Sequence, residues 1–178
     1  MNPEQGHLKL DTLKGTSGAT LSKCRKYRYV LWRIWDKSLP TIMFIGLNPS
    51  TANETQNDPT ILKCIQYCKR WDFGGFYITN LFAYRSSSPD ILKKSKKPIG
   101  SKNDYWVLKT AKSSEKIVAC WGEHGDFKDR DKALKKQFDR LYCLKVNKSG
   151  QPAHPLYLKS SLNFILMLKF YAINLEDI

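Results

Sequence analysis

The segment 42–51 is the first part of this chain whose residue types and spacing favour chemistry. It is an apolar run that stops at Gly46 and continues as a polar loop with Asn48, Pro49 and Ser50. Glycine permits close backbone approach, proline stiffens the turn, and the asparagine amide offers both a hydrogen-bond donor and an acceptor. A short apolar run is typical of a buried strand, and ligands of α/β proteins bind at the carboxyl ends of such strands. We therefore expect a ligand site in this loop, and the alternative is an ordinary strand–turn junction.

Three further apolar runs end in polar motifs. They are 76–85, which contains Asn80, 117–121, which is followed by His124, and 141–144, which precedes the loop that holds His154. Capped or amphipathic segments between and after the runs predict helices at 57–71, 104–113, 127–138 and 160–171. Alternation of strands and helices predicts a mostly parallel sheet, which would place Asn80 near Asn48.

The predicted architecture is α/β, with a four-stranded, mostly parallel sheet between two layers of helices. No linker or internal repeat divides the chain, so residues 21–178 are predicted to form a single domain. Residues 1–20 are polar and contain two glycines near their end, which predicts a partly irregular N-terminal arm.

The charge of the chain favours a polyanionic partner. Thirty Lys and Arg residues oppose sixteen Asp and Glu residues among 178, which gives a formal net charge of +14. Such an excess of cations is typical of proteins that contact phosphate backbones, although a generally basic surface kept for solubility is the alternative. Five lysines fall in the segment 86–103, which we predict to be a loop that contacts a backbone or is merely solvated.

Arginines and aromatic residues alternate over 24–35, which predicts an outer strand. Side chains of these two kinds can bind phosphates and stack on bases. The arginines assigned to nucleic-acid contact are Arg25, Arg28, Arg33 and Arg85. The alternative is a strand with one face on the core and arginine stems extended along the other.

Several classes of protein are excluded by what the sequence lacks. No apolar segment approaches the ~20 residues of a membrane span, and the N-terminus lacks the pattern of a signal peptide. Five cysteines are an odd number and do not resemble a disulfide framework. Cys64 and Cys68 would share a helix face, but no second Cys or His pair completes a zinc site. We expect reduced thiols, a cytoplasmic location, and neither a metal nor a cofactor.

The strand-end motifs together resemble the uracil-DNA glycosylase superfamily. They are Gly46-Leu47-Asn48-Pro49-Ser50, Asn80, Trp121-Gly122 and His154-Pro155-Leu156-Tyr157-Leu158, in the order and approximate spacing of that superfamily over residues 41–160. The wider pattern, with Leu-Asn-Pro-Ser-Thr-Ala, Asp-Pro-Thr, Asn-Leu-Phe-Ala-Tyr-Arg and Trp-Gly-Glu-His-Gly, closely resembles an uncharacterised bacterial and phage family filed as domain of unknown function 1643.

The superfamily resemblance implies hydrolysis of the N-glycosidic bond of a pyrimidine that is flipped out of DNA. It implies that Asn48 orients the attacking water and that Asn80 pairs with the base. His154 would donate a hydrogen bond to the departing base, whose negative charge develops as the bond breaks. Leu158 occupies the position of the wedge that fills the gap in the helix, with Tyr157 as the alternative.

Other residues are assigned to the base pocket by position. They are Pro49, Ser50, Phe82 and His124, with Tyr84 and Trp71 as further candidates for stacking on the base. Asn48 replaces the aspartate of the fast uracil enzymes, which matches the slower, mismatch-type branch. Ser50 stands where the uracil-specific branch has a bulky tyrosine and the mismatch branch a glycine. This substitution predicts tolerance of, or preference for, 5-substituted pyrimidines.

Two interpretations of function follow. In the first, the chain is a monomeric, metal-independent, monofunctional DNA glycosylase, acting in repair or in defence against modified phage DNA. In the second, it is a non-catalytic nucleic-acid or nucleotide binding module, possibly RNA-directed. Each site residue also has a structural interpretation. Asn48 and Asn80 would then only stabilise turns at the strand ends, and His154 would only form a hydrogen bond with the backbone. The sequence leaves the base and the polymer open.

Overall fold

The computed structural model describes residues 17–167. Its strands are β1 (Ser17–Leu21), β2 (Arg28–Ile34), β3 (Thr41–Gly46), β4 (Gly75–Asn80), β5 (Lys116–Ala119), β6 (Tyr142–Cys143) and β7 (Ile165–Leu166). Its α-helices are α1 (Pro59–Arg70), α2 (Pro89–Lys94), α3 (Asn103–Lys112) and α4 (Arg130–Lys135). None of the helices in this part of the chain is both long and apolar enough to cross a membrane.

All seven strands belong to one mixed sheet, in the order β1-β2-β4-β3-β5-β6-β7. The four predicted strands form its centre, where β4, β3, β5 and β6 run parallel. Strands β1, β2 and β7 add to this centre in antiparallel fashion. The prediction of an α/β fold is confirmed, but a sheet of four strands is wrong because both flanks are extended.

The β3-α1-β4 unit was predicted correctly from the sequence, except that β4 ends at Asn80 and does not continue to Arg85. Asp58 caps α1 by accepting a hydrogen bond from the Ile61 amide, and Pro59 occupies the first turn, where no intrahelical donor is needed. One face of α1 packs on the sheet core through Ile61, Cys64, Tyr67 and Cys68. Parallel pairing then aligns the strand ends so that Gly46 lies beside Asn80.

The two ends of the described chain differ from prediction. Residues 17–20 are not an irregular arm but most of β1, which pairs with β2; the first sixteen residues of the predicted arm lie outside the described residues. At the other end, the predicted helix 160–171 is replaced over its described part by an extended segment with β7. Leu162 and Phe164 both pack on the core, and a spacing of two residues fits extended chain rather than helix.

Two internal predictions also need correction. The segment 86–103 contains α2, whose Ser88 cap and following proline are a helix-start signal that the lysine content obscured. The predicted helix 127–138 is regular only over α4. Phe127 leaves helical geometry and packs on Phe82, with ring centroids 5.4 Å apart, and Lys128 and Asp129 adopt positive φ. The helix 104–113 is confirmed as α3, with both of its ends one residue earlier.

Arg33 secures the loop between β3 and α1. The residue is 5% exposed, and its guanidinium donates to the Asn57 side chain and to the carbonyls of Asn53 and Gln56, at 2.8 to 3.2 Å. Burial lowers the pKa of Arg33, and the charge of Asp58 partly offsets this effect. The arginine therefore holds the loop that leads to the first turn of α1.

Replacing Arg33 should therefore destabilise the fold much more than replacing an exposed arginine. Arg33→Ala leaves several loop carbonyls without a charged donor, and we expect a loss of roughly 2–4 kcal/mol in the free energy of unfolding. Arg25→Ala removes only an exposed ion pair with Glu54, so its loss should be at most about 1 kcal/mol. Urea denaturation of both variants measures the difference, and equal losses would contradict the role of Arg33.

Candidate functional site

A cleft of about 640 Å³ opens at the carboxyl edge of the parallel strands. It lies between the ends of β3, β4 and β5, the first turn of α1, and loops near residues 86–89, 122–124 and 153–158. Predicted site residues that line it are Arg28, Asn48, Ser50, Asn80, His124, His154, Tyr157 and Leu158. This volume suits a small molecule or a single nucleotide unit.

The side-chain amide of Asn48 is held in one orientation by Ser86. Its Nδ2 donates to the Ser86 carbonyl at 2.9 Å and to Ser86 Oγ at 2.8 Å, and lies 3.1 Å from the Pro49 carbonyl. A carbonyl only accepts, so the nitrogen must face Ser86. Ser86 Oγ donates onward to the Ser88 carbonyl at 3.1 Å. Asn48 Oδ1, which has no partner among residues 17–167, is therefore the acceptor that the residue offers to the cleft.

Asn80 lies on the cleft floor and is only 2% exposed. Its backbone carbonyl accepts from the buried Asn103 side chain, which fixes the end of β4. Its side-chain Nδ2 is buried without a partner in the described part of the chain. Buried amide nitrogens are normally paired, so an unpaired donor beside a cleft is suited to binding an acceptor atom of a ligand.

His154 is held by the backbone and still retains one ring nitrogen for a ligand. Its Nδ1 accepts from the Leu156 amide at 3.4 Å, so the neutral ring carries its proton on Nε2. Burial lowers the pKa of His154 below its ordinary value of 6.5, and the charge of Asp58 partly opposes this shift. The ring is thus neutral at pH 7 and can donate one hydrogen bond. A contact with the backbone alone was the alternative interpretation of His154. This contact is present, and it determines which ring nitrogen carries the proton.

The rim of the cleft is formed partly by apolar side chains. Tyr157 is 84% exposed and protrudes, whereas Leu158 is half-buried and packs against the core. His124 lies on the opposite loop, with Nδ1 3.4 Å from Lys93 Nζ. Of the two wedge candidates, Tyr157 is therefore the more exposed one, and its contacts include the His154 ring, with centroids 5.6 Å apart.

Five predicted residues do not line the cleft. Phe82 is fully buried and packs on Phe127, so it cannot stack on a base in the cleft. Arg33 is committed to the 53–57 loop, Arg25 forms an ion pair with Glu54, and Arg85 donates to the Arg25 carbonyl. Pro49 contributes backbone contacts to the loop rather than a wall of the cleft.

Neither alternative candidate for base stacking lines the cleft. Trp71 lies under the sheet and stacks on Tyr67 at 5.1 Å, and Tyr84 packs edge-on against Tyr27. The walls of the cleft within residues 17–167 include the aromatic residues Trp121 and Tyr157, of which Trp121 is 1% exposed.

Several lining residues were not assigned to the site from the sequence. They are Asp58, Thr60, Ser86, Ser87, Ser88, Glu123, Lys145 and Asn147. Asp58 was interpreted only as a helix cap, yet the helix it caps starts at the cleft. The serine run 86–88, in the connection that leaves the carboxyl end of β4, is the signal that could have indicated Ser86, because polar residues that follow a parallel strand lie at the same edge as the other strand ends.

Cysteine and metal chemistry find little support in this part of the chain. All five cysteines are unpaired, and only Cys24 is exposed. Cys120 lines the cleft, but burial raises its pKa to about 12, so it is a thiol at neutral pH. No group of three or more His, Cys, Asp or Glu side chains within residues 17–167 is arranged to hold a metal ion.

The electrostatics of the cleft can be tested by titrating His154. We expect its pKa, followed by NMR of the imidazole proton, to lie below 6.5, because burial disfavours the charged ring. Asp58→Asn should lower it further, because the substitution removes the opposing negative charge while asparagine keeps the helix cap.

Glu123→Gln is the matched control, since it removes a carboxylate from another part of the same cleft. It should leave the His154 titration unchanged. A pKa at or above 6.5 in the wild type, or an equal effect of the two substitutions, would contradict this description.

Comparison with known proteins gives one match. The model of the family described as "Protein of unknown function (DUF1643)" matches residues 28–156, which begin at Arg28 in the cleft and end just after His154. No curated protein and no solved structure matches the chain. The matched region covers most of the 178 residues, and the chain therefore belongs to the DUF1643 family.

Proposed function

We propose that this protein hydrolyses the N-glycosidic bond of a pyrimidine nucleotide that is flipped out of DNA, as members of the uracil-DNA glycosylase superfamily do. The observation that carries the proposal is the convergence of three groups on one cleft. They are an acceptor oxygen on Asn48, the buried and unpaired amide of Asn80, and a neutral imidazole donor on His154. Each group has one of the properties that the reaction requires.

The reaction assigns one role to each side chain. Asn48 Oδ1 accepts a hydrogen bond from water and directs its oxygen toward C1′ of the sugar. As the C1′–N1 bond breaks, its electron pair leaves with the base, and the water oxygen bonds to C1′ and releases its proton to solvent. Asn80 pairs with a carbonyl and ring N–H of the base. His154 Nε2–H donates to the base oxygen on which negative charge develops.

The order of the strands supports the same proposal. Three parallel strands, β3, β4 and β5, end at the cleft. Three of the motifs that resemble the superfamily lie at the ends of these strands, and the fourth, which contains His154, follows β6 in the chain. We infer that the central parallel strands and α1 correspond to the layered core of a glycosylase, with β1, β2 and β7 as additions. A monomer that acts on cytoplasmic DNA, with no cofactor, completes the proposal.

The amide at position 48 also favours slow chemistry. An amide cannot take a proton from water, so it positions the nucleophile without acting as a base. The rival function, a nucleotide- or nucleic-acid-binding module without turnover, rests on this same feature. Measurement of cleavage distinguishes the two.

Cleavage should be measured under single-turnover conditions with oligonucleotides that contain uracil, mismatched bases or 5-modified pyrimidines. We expect alkali-labile abasic sites with at least one of these substrates. His154→Ala should lower the rate by roughly 100-fold or more, because it removes the donor to the departing base. Asn48→Ala should also lower the rate, because the attacking water loses its acceptor.

Asn163→Ala is the matched control for Asn48→Ala. Asn163 is an asparagine outside the cleft, where it accepts from Arg70. Its replacement should leave cleavage unchanged. Binding of the same oligonucleotides without any abasic product would favour the binding module, and equal activity of the His154→Ala variant would exclude the proposed mechanism.

Ser50 provides a test of which pyrimidines enter the cleft. Its side chain lines the wall, and serine leaves space that a bulky residue would fill. We expect 5-substituted pyrimidines to be cleaved at least as well as uracil, and Ser50→Tyr to suppress them selectively. A difference of one small group in an apolar pocket is worth only ~1–3 kcal/mol, so the preference should be graded. Cleavage of uracil alone by the wild type would contradict the assignment of Ser50.

A further inference from the structure

Arg28 is a buried cation in the wall of the cleft. It is 2% exposed and starts β2, where its backbone amide donates to the Ala83 carbonyl at 2.9 Å. Because β2 runs antiparallel beside β4, the start of β2 lies next to the end of β4 and hence near Asn80. Arg28 thus differs from Arg25 and Arg85, which lie outside the cleft.

One edge of the Arg28 guanidinium is tethered and the other is unpaired. Nη1 donates to the Ala52 carbonyl at 2.8 Å, which fixes the plane of the group. Nε is buried without a partner, and Nη2 has no hydrogen-bonding partner within residues 17–167. None of the carboxylates in that part of the chain lies within 4.0 Å of the guanidinium.

This arrangement is unfavourable for the protein on its own. Burial lowers the pKa of Arg28 to about 10, against an ordinary value of 12.5, and only the more distant charge of Asp58 opposes the shift. Arg85 and Arg33 lower the pKa further. Buried charges are ordinarily paired, because desolvation otherwise destabilises the folded state.

The unpaired edge has the geometry of a specific ligand site. Nε–H and Nη2–H of an arginine point in parallel, and this pair of donors matches two oxygens of a phosphate or carboxylate. We propose that the Nε–Nη2 edge of Arg28 binds a phosphate group of the nucleotide that occupies the cleft. The choice of phosphate rests on the proposed function, whereas the oxyanion site itself rests on Arg28 alone.

Asp58 modulates this site. Its carboxylate lines the same cleft and its charge acts on Arg28, so it should repel a bound phosphate. Asp58→Asn should therefore tighten phosphate binding while keeping the cap of α1.

Binding of inorganic phosphate to the full-length chain is the direct test, at constant ionic strength with chloride as the control. We expect phosphate to raise the melting temperature of the wild type. Arg28→Met should weaken phosphate binding by roughly tenfold or more, because two charge-assisted hydrogen bonds are lost. The same variant should match or exceed the wild-type melting temperature without phosphate, because an unpaired buried charge is removed.

Arg28→Lys keeps the positive charge but lacks the paired donors. It replaces Arg28→Met in the binding experiment if Arg28→Met does not fold. It should bind phosphate more weakly than the wild type. Arg25→Met, which changes an exposed arginine outside the cleft, should bind like the wild type. Equal phosphate affinity of the wild type and both Arg28 variants would overturn the proposal.

Nucleotide probes then identify the source of the phosphate. Thymidine 5′-monophosphate or the dinucleotide TpT should bind more tightly than thymidine, in a manner that depends on Arg28. A preference for the monophosphate indicates a free nucleotide, and a preference for TpT indicates a strand. Equal binding of thymidine and both phosphate-bearing probes would exclude the site. These experiments measure binding and not turnover, so their result is independent of the cleavage assay. Arg28-dependent binding without cleavage supports the phosphate site and rejects hydrolysis. Cleavage without Arg28-dependent binding supports hydrolysis and rejects the phosphate site.

Discussion

Parallel pairing of β3 with β4 is the constraint on which the cleft depends. The register places Gly46, the last residue of β3, directly beside Asn80, the last residue of β4. The loop that carries Asn48 therefore begins next to the buried Asn80 side chain. A Cβ atom at Gly46 would come within 2.8 Å of Asn80 Oδ1. A side chain at this position would displace the Asn80 amide, so glycine serves here for space rather than for an unusual φ.

A second constraint explains why position 48 holds an amide. Its nitrogen donates to the Ser86 carbonyl at 2.9 Å, and an aspartate would place an oxygen against that carbonyl. The loop after β4 therefore selects asparagine and fixes its acceptor. A carboxylate at position 48 is incompatible with this contact, because two oxygen acceptors would then face each other.

The sequence predicted the parts of the fold and site that depend on local patterns. Apolar runs identified the four central strands, and the Asp58-Pro59 cap identified α1. Other features depend on contacts between segments distant in the chain. Strand β2 lies between β1 and β4 rather than at the edge of the sheet, and the loop 52–57 packs on the side chains of Arg28 and Arg33. Packing of Phe127 on Phe82 removes Phe82 from the site. Periodicity alone carries no information about such contacts.

The most direct test of the account is a crystal structure with DNA that contains a 2′-fluoroarabino pyrimidine nucleotide, whose N-glycosidic bond resists hydrolysis. We predict that the base lies outside the helix and in the cleft, with its edge on Asn80 and an oxygen on His154 Nε2. The C1′ atom should face Asn48 Oδ1 with a water between them. A base that remains stacked in the duplex, or DNA bound away from the cleft, would contradict the account.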